Sequence, residues 1–116
     1  MPQTRLIQGE IVFPDTASQG VADKITVELR DVSLQDQAST VVATMTLDQV
    51  PVDPDCRVPF ELKAPVVVDS HSLTLRVQVD MQAGHRNASG DFLSTVAQPV
   101  PPGGDLYGLV VPLTQL

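Results

Sequence analysis

The chain is short of the residues from which helices, disulfide frameworks and aromatic platforms are usually made. It has one cysteine (Cys56), no tryptophan, one tyrosine, three phenylalanines, two lysines and three glutamates in 116 residues. One cysteine excludes an intrachain disulfide framework and a cysteine-rich zinc site. So few aromatics leave no platform of the kind on which carbohydrate-binding sandwiches stack sugars. The scarcity of Glu and Lys removes two common helix formers. Bases are few as well: seven against fourteen acids, a net charge of −7. That balance argues against binding the phosphate backbone of nucleic acid or an anionic membrane surface. Long apolar runs are absent too. The most apolar stretch, Leu106 to Leu113, is broken by Gly108 and Pro112 and is too short to cross a bilayer. No apolar signal-peptide core follows Met1–Arg5, so the expectation is a cytosolic chain if Met1 is the true start. If a leader is missing, the chain is instead the mature part of an exported protein.

What is present points to β-structure. Eleven of the fourteen acids are Asp, which competes with the helical backbone and favours turns, and ten prolines interrupt any long helix. Val, Ile and Thr are plentiful and suit a pleated, half-buried surface. Alternation with period two recurs along the chain. Its cleanest example is Leu73, Leu75, Val77, Val79 and Met81, interleaved with Thr74, Arg76, Gln78 and Asp80. Similar patterns run through Ile7–Phe13, Ile25–Leu29, Val41–Leu47, Val58–Leu62 and Tyr107–Leu113. Phe92 to Gln98 is strand-like, with an ambiguous inward face because Phe92 and Leu93 are adjacent. These give about seven strands, starting near residues 5, 24, 41, 57, 72, 91 and 107, in one domain spanning 1–116. The connectors Pro14-Asp15, Asp53-Pro54-Asp55, Ala83-Gly84, Ser89-Gly90-Asp91 and Pro101-Pro102-Gly103-Gly104 carry turn chemistry. Ser33 to Ala38 is long enough for one helical turn. The fold expected is an antiparallel β-sandwich, with a partly closed barrel as the alternative. Pro59 and Pro112, lacking a backbone donor, belong on sheet edges or at bulges. Val12, Val42 and Val110 are out of phase and mark bulges or partial burial of the outer face.

Candidates for chemistry each have a simpler explanation. His71 and His85 lack partners at metal-ligand spacing. Asp48, Asp53 and Asp55 cluster, but the glycine and closing Glu of an EF-hand loop are missing, and turn aspartates account for them. Cys56 follows Asp55, whose charge opposes thiolate formation, so it reads as a small apolar residue at the start of a strand. No nucleophile elbow, phosphate-binding loop or dinucleotide fingerprint occurs. Asn87-Ala88-Ser89 matches the glycosylation triplet, a pattern frequent by chance. The sequence therefore assigns no catalytic, metal or cofactor residue. A sheet edge or a groove between sheets is left as a surface for an extended peptide, with its residues unassigned.

The order of motifs carries a resemblance. Leu6-Ile7-Gln8-Gly9-Glu10-Ile11 gives a strand with a central glycine. Val27 to Asp36 reads V-x-L-x-D-V-S-x-x-D, and Pro59-Phe60-Glu61-Leu62 reads P-F-x-L. With Leu73–Val79 and the Phe92–Val100 segment that follow, the chain resembles the YbaY/YscW-type bacterial lipoprotein family, which includes type III secretion pilotins. The resemblance implies a small non-catalytic β-sandwich that binds another protein in the periplasm or at the outer membrane, tethered by a lipidated N-terminal cysteine. Cys56 lies too far inside the domain to be that anchor, so lipidation requires a leader ahead of Met1. The alternatives are an accessory protein or small enzyme of envelope polysaccharide metabolism, and a purely structural spacer domain. The matched residues also have structural uses. Asp31 and Ser33 suit a strand end, and Phe60 and Leu62 suit the core.

Overall fold

The computed structural model describes residues 4–15, 17, 19–32, 40–66, 72–81, 91–94, 98–101 and 103–115. Those residues form two β-sheets packed face to face, with no helix among them. The strands are β1 (Thr4–Val12), β2 (Gly20–Asp31), β3 (Thr40–Val52), β4 (Arg57–Pro65), β5 (Leu73–Asp80), β6 (Phe92–Leu93), β7 (Gln98–Val100), β8 (Leu106–Pro112) and β9 (Thr114–Gln115). A small sheet has the order β4-β1-β8, and a larger one β3-β2-β5-β6-β9, with β7 pairing β5 beside β6. The neighbours in both sheets are antiparallel except β1 and β8, which run parallel.

The alternating patterns become the inner faces of the two sheets. Ile7 and Ile11 of β1, Phe60, Leu62 and Ala64 of β4, and Val111 of β8 point in from the small sheet. Ile25, Val27 and Leu29 of β2 meet Leu73, Leu75, Val77 and Val79 of β5 from the large one. At one end Phe13 and Phe92 pack edge to face, with ring centroids 5.0 Å apart and planes at 77°, the arrangement their quadrupoles favour.

Seven expected strands become nine because two of them break. In the Phe92–Gln98 segment, Ser94 takes over the ladder. Its amide donates to Val77 O at 2.9 Å, and its hydroxyl oxygen accepts from Val77 N at 2.8 Å. Strand β6 therefore ends after two residues, and β7 resumes lower on the same edge of β5. The C-terminal strand breaks at Leu113. The Leu113 amide still donates to Val12 O at 3.0 Å, but Thr114 and Gln115 pair with Leu93 and Phe92 of the other sheet. The chain thus passes directly from one sheet to the other and closes that side of the sandwich. On the opposite side the edges β3 and β4 are not paired, so the described strands form a sandwich and not a closed barrel.

Two smaller expectations change, and two others are met. Tyr107 is 59% exposed, although alternation back from Leu113 places it inward. Ile7 pairs with Leu106 while Gly9 pairs with Leu109, so β8 carries one extra residue. Gly108, at φ +78°, lies in that bulge and reverses the facing of what precedes it. Asp23 lies inside β2, which starts at Gly20 and not near residue 24. Val42 is the extra residue of a second bulge, where Leu29 and Arg30 face Ala43 and Val41. Pro59 sits on an edge strand, as its missing donor requires. The segment Ser33–Ala38, with Asp36, lies outside the described residues.

Candidate functional site

The open side of the sandwich holds a cleft of about 790 Å³. Its walls follow from strand parity. Met45 and Leu47 of β3 stand opposite Val27 and Ile25 of β2, so they lie on the inner face of the large sheet. Because β3 is that sheet's last strand, they are only half-buried. Across from them lie Gly9 of β1, Phe60 of β4 and Leu109 of β8, which are ladder neighbours in the small sheet. Four residues, Asp53–Cys56, join β3 to β4, so the two edges are held close at that end. Within this connector, the Cys56 amide donates to Asp53 O at 3.1 Å, and Asp55 takes φ +58°.

Gly9 is required here by its neighbour. A Cβ on Gly9 would lie 2.5 Å from Leu109 O and 2.8 Å from Leu109 Cβ. The bulge in β8 has pushed the Leu109 backbone into the space a side chain would fill. The central glycine of β1 and the glycine of β8 thus belong to one device, which lets two parallel strands approach closely beneath the cleft.

The polar groups around the cleft are acidic or neutral. Gln8, Glu10 and Glu61 line it, and among the described residues no lysine or arginine does. Gln8 Nε2 donates to Glu61 Oε2 at 2.6 Å, and Arg57 Nη1 pairs with Glu10 Oε2 at 2.9 Å. Nearby, the Tyr107 hydroxyl donates to Asp105 Oδ2 at 3.2 Å, and the other oxygen of Asp105 accepts from Leu6 N at 2.8 Å. That hydrogen bond, and then the Asp105 charge, raise the Tyr107 phenol above its ordinary pKa of 10.0.

An alternating domain of this size has a known structural counterpart. A solved alternative pilotin from the type II secretion system of Vibrio cholerae superposes with a TM-score of 0.70 at 19% identity. The match covers 98% of this chain and 100% of that one. The two share a fold. No family model matches this chain, and no curated protein is similar to it in sequence. The likeness in fold runs through nearly the whole chain.

The residues weighed from the sequence as metal ligands, nucleophiles or modification sites fall away from the cleft or outside the described residues, whereas Gln8, Gly9, Glu10, Pro59, Phe60 and Glu61 of the resemblance motifs line it. Asp53 and Asp55 are exposed in the β3–β4 connector, and Asp48 is exposed on β3. Among the described residues no group of three potential metal ligands converges. Cys56 is half-buried against the core, and its carbonyl accepts from Phe13 N at 3.0 Å. His71, His85 and Asn87-Ala88-Ser89 lie outside the described residues. Three buried polar side chains have structural uses. Arg5, 3% exposed, donates from Nη1 to Pro101 O at 2.9 Å. Asp91 accepts from Met81 N at 2.8 Å, and Gln78 donates to Asp80 at 3.2 Å. The cleft residues Met45, Leu47 and Leu109 had been legible only as alternating apolar positions. Their half-burial, which leaves them accessible, depends on β3 being an edge, and that is a property of the sheet order. No helix of the described chain is long and apolar enough to cross a membrane.

Proposed function

We propose that this chain is a non-catalytic, pilotin-like protein-interaction module of the bacterial envelope, and that the cleft between β3 and the small sheet holds a segment of its partner. The observation that carries the reading is the cleft. It has an apolar interior built by five inward-facing residues, and it lies on the one side where the described strands do not pair around the sandwich. Clefts of this size with few polar groups are the usual places for ligands to bind. The full-length likeness to a pilotin supports a protein as the ligand, and the order of motifs supports membership of the YbaY/YscW type. On this reading the protein works in the periplasm or at the outer membrane and turns over no substrate.

The test is a titration of methyl-labelled protein with C-terminal peptides of bacterial outer-membrane proteins. The expected result is saturable shifts at the Met45, Leu47 and Leu109 methyls. Shifts confined to other faces, or none across the peptide set, would rule the cleft out. Hydrolase activity lost on replacing Cys56 or a single Asp would instead favour the enzyme alternative.

A further inference from the structure

We infer that the partner segment enters as an added strand on β3, and that it is an apolar stretch carrying basic side chains. This rests on the cleft being the docking site and specifies how it is used. The first observation is the state of the edge itself. From Thr40 to Asp48, β3 carries one charge and no proline, and Thr40, Val41, Thr44, Thr46 and Asp48 are exposed to solvent. Natural edges are usually protected by charges, prolines or bulges, because unpaired backbone groups recruit further strands. β3 has a bulge at Val42 and a kink at Gln49, where φ is +52°, but the run between them has no such protection. β4, facing it across the cleft, is protected by Pro59, Pro65 and a row of exposed charges at Arg57, Glu61 and Lys63.

The second observation is parity. A strand added along β3 continues the large sheet, and its residues level with Met45 and Leu47 project into the cleft on the same side. Main-chain hydrogen bonds then supply affinity, and the cleft selects every second side chain. The third is charge. Glu61 lines the cleft and Asp48 stands on β3, while Glu10 and Arg57 offset each other as an ion pair, and among the described residues no base lines the cleft. A second copy of this chain would bring −7 against −7, whereas a segment with lysines or arginines is attracted.

The probe is a nine-residue peptide of alternating valine and lysine, added to the intact chain. Hydrogen exchange is expected to slow at amides within residues 41–48, with methyl shifts at Leu47 and Leu109. A peptide N-methylated at alternate residues keeps its side chains but loses one hydrogen-bonding edge, and its affinity is expected to fall at least about tenfold. Replacing lysine by glutamate is expected to weaken binding by a similar factor at low salt, and by less at high salt. Equal binding of the N-methylated peptide at the cleft methyls would overturn strand addition while leaving the docking site standing. Tighter binding of the glutamate peptide would overturn the charge argument. Absence of cleft shifts with every peptide would bring down both the inference and the docking site. Protection of β3 that grows with protein concentration alone would make a second copy the occupant and overturn the inference.

Discussion

The two edges that bound the cleft have opposite characters although four residues join them. β4 turns Phe60, Leu62 and Ala64 into the core and alternates them with Arg57, Pro59, Glu61, Lys63 and Pro65. β3 alternates Ala43, Met45 and Leu47 with threonines and one aspartate, and these three inward residues are only half-buried. One edge is finished: its apolar face is covered and its backbone is guarded. The other keeps its inner side chains within reach of water and leaves most of its backbone edge unguarded. A domain that only had to be stable would gain from guarding both, and the difference is what the proposed docking along β3 rests on.

Core truncation gives the largest test of that contrast. Phe60→Ala is expected to cost about 3–5 kcal/mol in urea unfolding, because a large, almost fully buried ring is lost. Leu47→Ala, across the cleft, is expected to cost less than about 2 kcal/mol, since its side chain is only half-buried. Equal losses would show that the two walls are packed alike. Gly9→Ala comes next, at about 1–3 kcal/mol, because the new Cβ forces the Leu109 backbone to move. Unchanged unfolding in that variant would mean that β8 yields freely at its bulge.

A smaller effect is expected in the connector that holds the edges together. Asp55→Gly relieves a non-glycine residue in the left-handed region and is expected to raise stability by about 0.5 kcal/mol. A lower thermal midpoint would indicate that the Asp55 side chain helps to set the turn. The smallest effect concerns Tyr107, the chain's single tyrosine, whose absorbance titration can be read without interference. Its pKa is expected above 10.0, falling back towards that value in Asp105→Asn. The sign follows from the neutral phenol being the favoured form in the folded state. Any stabilisation is complete below the unfolded-state pKa and fades as the pH rises through the raised one. A titration unaffected by Asp105→Asn would remove the link between that carboxylate and the hydroxyl.

Much of the fold could be read from the sequence, because alternation reports burial directly. β5 is the clearest case: Leu73, Leu75, Val77 and Val79 are all buried as their spacing implies. Breaks in strands were harder to read. Ser94 ends β6 by offering both its amide and its hydroxyl to Val77, a use of serine that composition does not reveal. Alternation alone misplaces Tyr107, although Gly108 beside it carries a signal, since an isolated glycine within a strand pattern often marks a bulge. The cleft was the least legible feature. Pro59 narrowed its strand to an edge or a bulge from local chemistry, but no residue of β3 announces that it is the last of the described strands in its sheet. That fact belongs to the order of strands, which is settled by contacts far apart in the chain.

The same order has a kinetic consequence. β1 is the central strand of the small sheet, and one of its two partners is β8, roughly a hundred residues later. The Leu6 amide waits for Asp105, and the Arg5 side chain for the Pro101 carbonyl. Such distant pairings bear their loop-closure entropy before any contact rewards it, which slows folding into the range of milliseconds to seconds. A growing chain can assemble β2, β3 and β5 early, but its first strand stays without one neighbour until Leu106–Pro112 has been made.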